Sequence, residues 1–336
     1  MLSRHFLRAK VLQSLYALQS NSVEPSQVRI SFDENIAQLN NMGTLQLALL
    51  VKFRPVAIRA LDDLSHKFLA SDDERNPSTR IEDNTFLRVL TDNITLRHRI
   101  EALPKPFLPD EELLRRFFLQ FRSSQVYLDY LNSEPSFGND HSFVVQLFRT
   151  VINDELIRSA FFEQGVLWDD DFDQLAQYNF MMLKALDESF DADSDIPLMY
   201  DSRFEKDQED YQFAVTLLQC SCQQHDANQQ LIREHLNGWD FERVACVDLV
   251  LLNMAIAEVT TFPSIPERVT IDEYIELSKE FSTDRSKLFI NGILDRIFTK
   301  LRVEGRISKS GRGLSYLEGY DTESDNSNSA YKTDSN

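Results

Sequence analysis

An all-α fold is what the sequence predicts, on three observations. Apolar residues recur at the 3.6-residue spacing of a helix face, as at Leu113, Phe117, Phe121, Tyr127 and Tyr130. Few segments alternate with the period of two that marks a half-buried strand. Only nine glycines and ten prolines interrupt 336 residues, so long stretches can stay helical.

The elements follow in order. Residues 4–20 read as a first helix, in which a basic face runs into a Leu-Tyr pair. Residues 21–205 read as a long helical region broken by turn-rich stretches at 72–80, 103–110, 133–140 and 191–201. Helical segments then occupy 208–236 and 239–258. Thr270 stands three residues before Glu273, ahead of Tyr274, Leu277 and Phe281, and so predicts a capping-box helix start. Ser282, Thr283 and Asp284 stop that helix and offer N-caps to the next. The next carries Phe289, Ile290, Ile293, Leu294, Ile297, Phe298 and Leu301, a wide apolar stripe. Residues 313–336 are polar and almost free of aliphatics, which predicts disorder. The expected organisation is a first basic helix plus enlarged helical region over 1–205, a C-terminal helical domain over 206–312, and a disordered tail. An internal echo also links Phe143, Ile157, Trp168 and Leu183 to Phe213, Ile232, Trp239 and Met254.

Charge is distributed unevenly. The net charge of −19 opposes a nucleic-acid role, since a polyanion repels phosphate. Yet residues 1–20 carry +3 and residues 285–312 carry +6, while the tail carries −4 and the body between the basic ends carries −24. Basic residues also favour helix C-termini, which accounts for 296–306 well and for the N-terminal set poorly. No run approaches the ~20 apolar residues that span a bilayer, and the N-terminus lacks the apolar core of a secretory signal. Three cysteines, an odd number, fit a reducing compartment and a cytoplasmic location.

The string 262–298 combines Ile-Pro, Val-Thr-Ile-x-Glu, Phe-Ser and Phe-Ile-Asn-Gly-Ile-Leu-Asp in that order. It resembles the C-terminal signature of the NusB family of transcription antitermination factors. Residues 239–258, 208–236 and 4–18 resemble the family's preceding helices and its opening helix. The resemblance implies a NusB-like helical bundle whose two basic ends meet to bind boxA-type single-stranded RNA. Such RNA is held by cations along its backbone and by groups that stack on or bond to its bases. Arg4, His5, Arg8 and Lys10 would form one wall of that site, and Arg285, Lys287, Phe289 and Asn291 the other. Phe289 reads equally as core packing, and Asn291 reads first as a structural hydrogen-bonder. This chain departs from the family at His5 and Phe6, which interrupt the arginine run, and at Leu288, which replaces a basic residue. These departures predict RNA binding that is weak or needs a partner.

The resemblance also implies pairing with NusE, a ribosomal small-subunit protein, and docking on RNA polymerase to suppress termination in ribosomal RNA operons. Tyr16 and Asp248 match the positions of that pairing. Asp248 lies among Val247, Leu249 and Val250, so it should face a partner or be tied to Arg243 or Lys10. The competing reading is a helical interaction scaffold without RNA binding, with the acidic region as its working surface. RNA cytosine methyltransferases also carry a NusB-like domain, but ahead of a catalytic domain, whereas here the sequence ends at 336, shortly after the signature. No nucleophile elbow, phosphate-binding loop or dinucleotide turn occurs, so the expectation is a binding protein without catalysis or cofactor. Cys220, Cys222 and His225 invite a metal reading, but i and i+2 diverge on a helix and no further ligand cluster accompanies them. The acidic stretches 168–173 and 191–195 lack the glycine and closing glutamate of a calcium loop and read as solvated turns.

Overall fold

The computed structural model describes residues 3–20, 24, 26–69, 71–103, 110–163, 169–236, 241–311 and 314. Among the described residues all regular structure is helical and no strand occurs, so the fold is all-α. The predicted disorder of 313–336 falls outside the described residues, Leu314 apart.

Local sequence sets most of the helix starts. Helix α1 (Arg4–Gln19) begins where the Ser3 hydroxyl accepts the Phe6 N–H at 3.1 Å. Helix α2 (Val28–Ser65) is the longest and carries Pro55 within it. Short helices follow: α3 (Asp72–Arg75), α4 (Arg80–Asp83), α5 (Thr85–Asp92) and α6 (Ile94–Ala102). Ser71, Asn84 and Asn93 cap α3, α5 and α6 with their side chains. Then come α7 (Glu111–Phe121), α8 (Gln125–Asn132), α9 (Phe137–Ile152), α10 (Glu155–Phe162) and α11 (Asp169–Ala185). After the irregular stretch 186–204 lie α12 (Glu205–Gln223), α13 (His225–His235), a 3-10 turn (Phe241–Arg243), α14 (Cys246–Thr261), α15 (Glu267–Phe281) and α16 (Ser286–Val303).

The chain forms two compact units, residues 36–201 and residues 2–35 with 202–336. This differs from the expected 1–205 and 206–312 division. The first helix belongs with the C-terminal helices, because its buried face (Phe6, Leu7, Val11, Leu12, Leu15) packs on α12 and α14.

Within residues 36–201 the core is aromatic. Phe53 meets Phe117, Phe118 and Phe121 edge-on, and Tyr130 stacks on Phe143 at 3.9 Å. The buried Asp140 accepts from the Thr85 N–H at 2.7 Å and from the Tyr130 hydroxyl at 2.9 Å, so its charge is satisfied. The echo reads as two helix series, α9–α10–α11 and α12–α13–α14, whose first and third members pack together. Phe143 and Phe213, Ile157 and Ile232, and Leu183 and Met254 are buried in both. Leu156 breaks the match, being exposed where Leu231 is buried, and Trp168 and Trp239 lie outside the described residues.

In the other unit α14 is the central helix. Residues 250–259 are all buried, and α1, α12, α13, α15 and α16 surround it. The α16 stripe is buried as the spacing predicts, except that Phe289 is half-buried. Each such side chain stabilises the fold by about 1.5–3 kcal/mol. The predicted capping box at Thr270 does not form. Helix α15 starts one turn earlier, at Glu267 behind the extended Pro266, and Thr270 lies inside it, buried. Its hydroxyl is needed elsewhere, as a donor to the buried Glu258. The predicted caps for α16 also serve otherwise: Arg285 holds the N-cap position, and Ser282 closes α15.

Candidate nucleic-acid and partner interface

The basic residues at the start of α1 sit at three depths. Arg8 is buried, and it donates to Glu258 through Nε at 2.7 Å and Nη2 at 2.9 Å. Glu258 is fully buried and also accepts the Thr270 hydroxyl at 3.0 Å and the Tyr274 hydroxyl at 3.1 Å. Four donors thus satisfy its two oxygens, which is the condition for an ion pair to persist in a core. Burial works against the charge on Arg8, but Glu258 more than offsets it, so the guanidinium pKa is raised. Burial and the same carboxylate hold the Tyr274 phenol well above its ordinary value. Lys10 is also buried, donating to Gln13 Oε1 at 2.8 Å with its ammonium over the Phe6 ring. The expectation that Arg8 and Lys10 present a basic surface is therefore corrected. Their positions on α1 face the packed side of the helix, so they brace the face from beneath.

Arg4 and His5 do reach the surface. Arg4 donates through Nε to Asp210 at 3.0 Å, with its guanidinium over the Phe213 ring and its side chain 42% exposed. His5 places Nδ1 at 2.8 Å from Glu273 Oε2 and Nε2 at 3.0 Å from Glu280 Oε1. The bond to Glu273 raises the His5 pKa, burial opposes it, and Glu280 adds to the rise. His5 in turn lowers the pKa of Glu273. Through these contacts the N-terminus of α1 lies against the last turn of α15.

The turn after α15 is built around Asp248. This carboxylate is buried and accepts the Ser282 hydroxyl at 2.7 Å and the Ser286 hydroxyl at 2.9 Å. It is neither a surface group nor paired with Arg243 or Lys10 in these bonds; it ties the start of α14 to the start of α16. Beyond that tie Arg285, Lys287, Leu288 and Asn291 are exposed and Phe289 is half-buried. Of the other cations of α16, Lys300 pairs with Glu234 at 2.9 Å and Arg302 with Glu267 at 2.6 Å, while the exposed Arg296 donates to the Gly292 carbonyl at 2.9 Å. Tyr16 is exposed, one turn before Gln19, whose side-chain oxygen accepts the Cys246 thiol at 3.0 Å. The end of α1 therefore lies beside the start of α14.

Sequence reasoning singled out the cations and missed the acids that hold them: Asp210, Glu258, Glu273 and Glu280. A signal existed for Glu258, a carboxylate between Ala257 and Val259 on an apolar helix, where an unpaired charge would be untenable. Glu273 and Glu280 share a face seven residues apart, a pattern too common to notice unaided. Among the described residues no group of three or more His, Cys, Asp or Glu side chains could hold a metal ion. No helix among them is long and apolar enough to cross a membrane.

Comparison with known proteins agrees with this architecture. The family model described as NusB family matches residues 172–299, reaching further toward the N-terminus than the expected boundary at 206. The transcription antitermination protein NusB of Salinibacter ruber is 38% identical over 102 residues, 30% of this chain and 64% of that protein. The NusB protein of Chloroherpeton thalassium is 42% identical over 83 residues, 25% of this chain and 39% of that protein. That of Natranaerobius thermophilus is 39% identical over 95 residues, 27% of this chain and 66% of that protein. The chain thus spans less than two thirds of the length of each of these relatives. By these comparisons, residues 172–299 of this chain are similar to the NusB family.

Proposed function

We propose that the protein is a transcription antitermination factor that binds boxA-type single-stranded RNA together with NusE. The pair would dock on transcribing RNA polymerase in the cytoplasm and suppress termination in ribosomal RNA operons. The observation that carries this reading is the contact between His5 and Glu280. It joins the cationic start of α1 to the end of α15, four residues before the exposed Asp284 and Arg285. Arg4, His5, Arg285 and Lys287 then serve as phosphate-binding cations. Phe289 and Asn291 serve as stacking and base-bonding groups, and the N–H groups opening α16 favour an anion. Arg8 and Lys10 act from below, by fixing α1. Tyr16 is the exposed contact for NusE, and Asp248 supports that contact by shaping the neighbouring turn. The work is linkage, each partner strengthening the other's binding, rather than catalysis.

Binding of a boxA-like oligonucleotide, with and without NusE, across a salt series tests the proposal. Affinity should rise with NusE, fall with salt, and be lost in Arg4→Glu/Arg285→Glu, whose side chains are both exposed. An absence of salt-dependent binding beside folded, active NusE would overturn it. A second reading, a helical interaction scaffold without RNA binding, draws on the burial of Arg8 and Lys10, which takes two cations from the surface.

A further inference from the structure

The acids around His5 are not equivalent. A neutral imidazole offers one N–H and one lone pair. Here both ring nitrogens meet carboxylate oxygens, at 2.8 and 3.0 Å, so satisfying both contacts takes the imidazolium. Glu273 is 28% exposed and also lies 3.3 Å from Arg8 Nη1, which commits it to the network beneath. Glu280 is 46% exposed and meets the ring at the surface. An exposed carboxylate leaves such a pair easily, because water replaces what it gives up. Arg8 and Arg4 offer no comparable exchange. Arg8 is locked to a fully buried acid, and Arg4 is paired with Asp210, a buried acid that Lys206 also holds at 3.2 Å.

We propose that Glu280 occupies the position on His5 that an RNA phosphate takes, an internal anion that the RNA backbone displaces. This rests on the RNA-binding reading above. The exchange is anion for anion: the Nε2–H passes from a carboxylate oxygen to a phosphate oxygen, and Glu280 turns into solvent. Glu273 keeps Nδ1 and so keeps the ring aimed. The charged groups facing the site are Arg8 from α1, Glu273 and Glu280 from α15, and Glu258 of α14 through Arg8. Of these, Glu280 is the acid that is both in contact with the ring and half in water. In the free protein the contact holds α1 against α15, and it sets RNA affinity below what an unoccupied imidazolium would give.

The test is titration of a fluorescent boxA-like oligonucleotide into the full chain at low salt. Glu280→Gln should tighten binding about two- to fivefold, the range of one exposed ion pair. Glu209→Gln, which removes an exposed acid of α12 outside the cluster, should change it less. Adding His5→Gln to Glu280→Gln should erase the gain, since no imidazolium remains to be released. If Glu280→Gln and Glu209→Gln tighten binding equally, the inference fails while RNA binding by the unaltered chain still stands. If the unaltered chain binds no RNA with NusE present, the functional reading fails, and the inference with it.

Discussion

His5 and Arg8 differ in how they answer pH and substitution, though they stand one turn apart on α1. The folded pKa of His5 is raised above its ordinary 6.5 by Glu273 and Glu280. A group of that kind stabilises the fold fully below the unfolded value and loses its contribution as pH rises through the folded value. Glu273, whose pKa is lowered from 4.5, acts in the opposite sense and loses its contribution as pH falls through the lowered value. The cluster is therefore strongest between those limits. Urea denaturation of His5→Gln should show its largest deficit near pH 6 and a vanishing one at alkaline pH; a deficit that grows with pH would contradict the assignment. Arg8→Met leaves Glu258 charged and buried, with only the Thr270 and Tyr274 hydroxyls. The expected loss is about 3–5 kcal/mol in the same measurement. A loss under 1 kcal/mol, on the order of a surface pair, would mean that Arg8 is not buried as described. The cations were legible in the sequence, but their depth was not. Arg4 and Arg8 look alike until α1 is set on its neighbours, when one faces out and the other faces Glu258.

At the level of the elements, α16 holds an unused margin of stability. Gly292 lies within this helix, and a Cβ built there meets nothing within 4 Å. A glycine in a helix interior destabilises by about 0.5–1 kcal/mol relative to alanine. Gly292→Ala should therefore raise the midpoint of thermal unfolding, read by circular dichroism; a lower midpoint would reveal a contact that open space does not explain. The boundaries of α15 teach a related lesson. Thr270 and Glu273 have the spacing of a capping box, yet Thr270 is buried inside the helix with its hydroxyl on Glu258. A local signal of modest energy gave way to the need of a buried carboxylate for donors. The apolar stripes were read more securely, because burying Ile290, Ile293, Leu294, Ile297, Phe298 and Leu301 leaves the helix few other orientations.

For the whole molecule, net charge and local charge make opposite demands on a polyanionic ligand. The proposed RNA face must bind phosphate on a chain of net charge −19. Affinity should therefore rest on few contacts and respond to salt with a shallow slope. Each exposed cation removed, Arg4 or Arg285, should reduce the slope of log affinity against log salt by about 0.7. A slope unchanged in both variants would place the RNA elsewhere. By itself the sequence determined that the fold is all-α and where the apolar stripes run. Those properties follow from periodicity and residue type, which are local. Only the tertiary structure decided that Arg8 and Lys10 are buried and that Asp248 ties a turn through two serines. These depend on which partner each side chain meets across 34 to 250 residues of sequence, as Asp248 meets Ser282 and Arg8 meets Glu258. Burial and charge pairing at such separations are set by packing, which no spacing along the chain records.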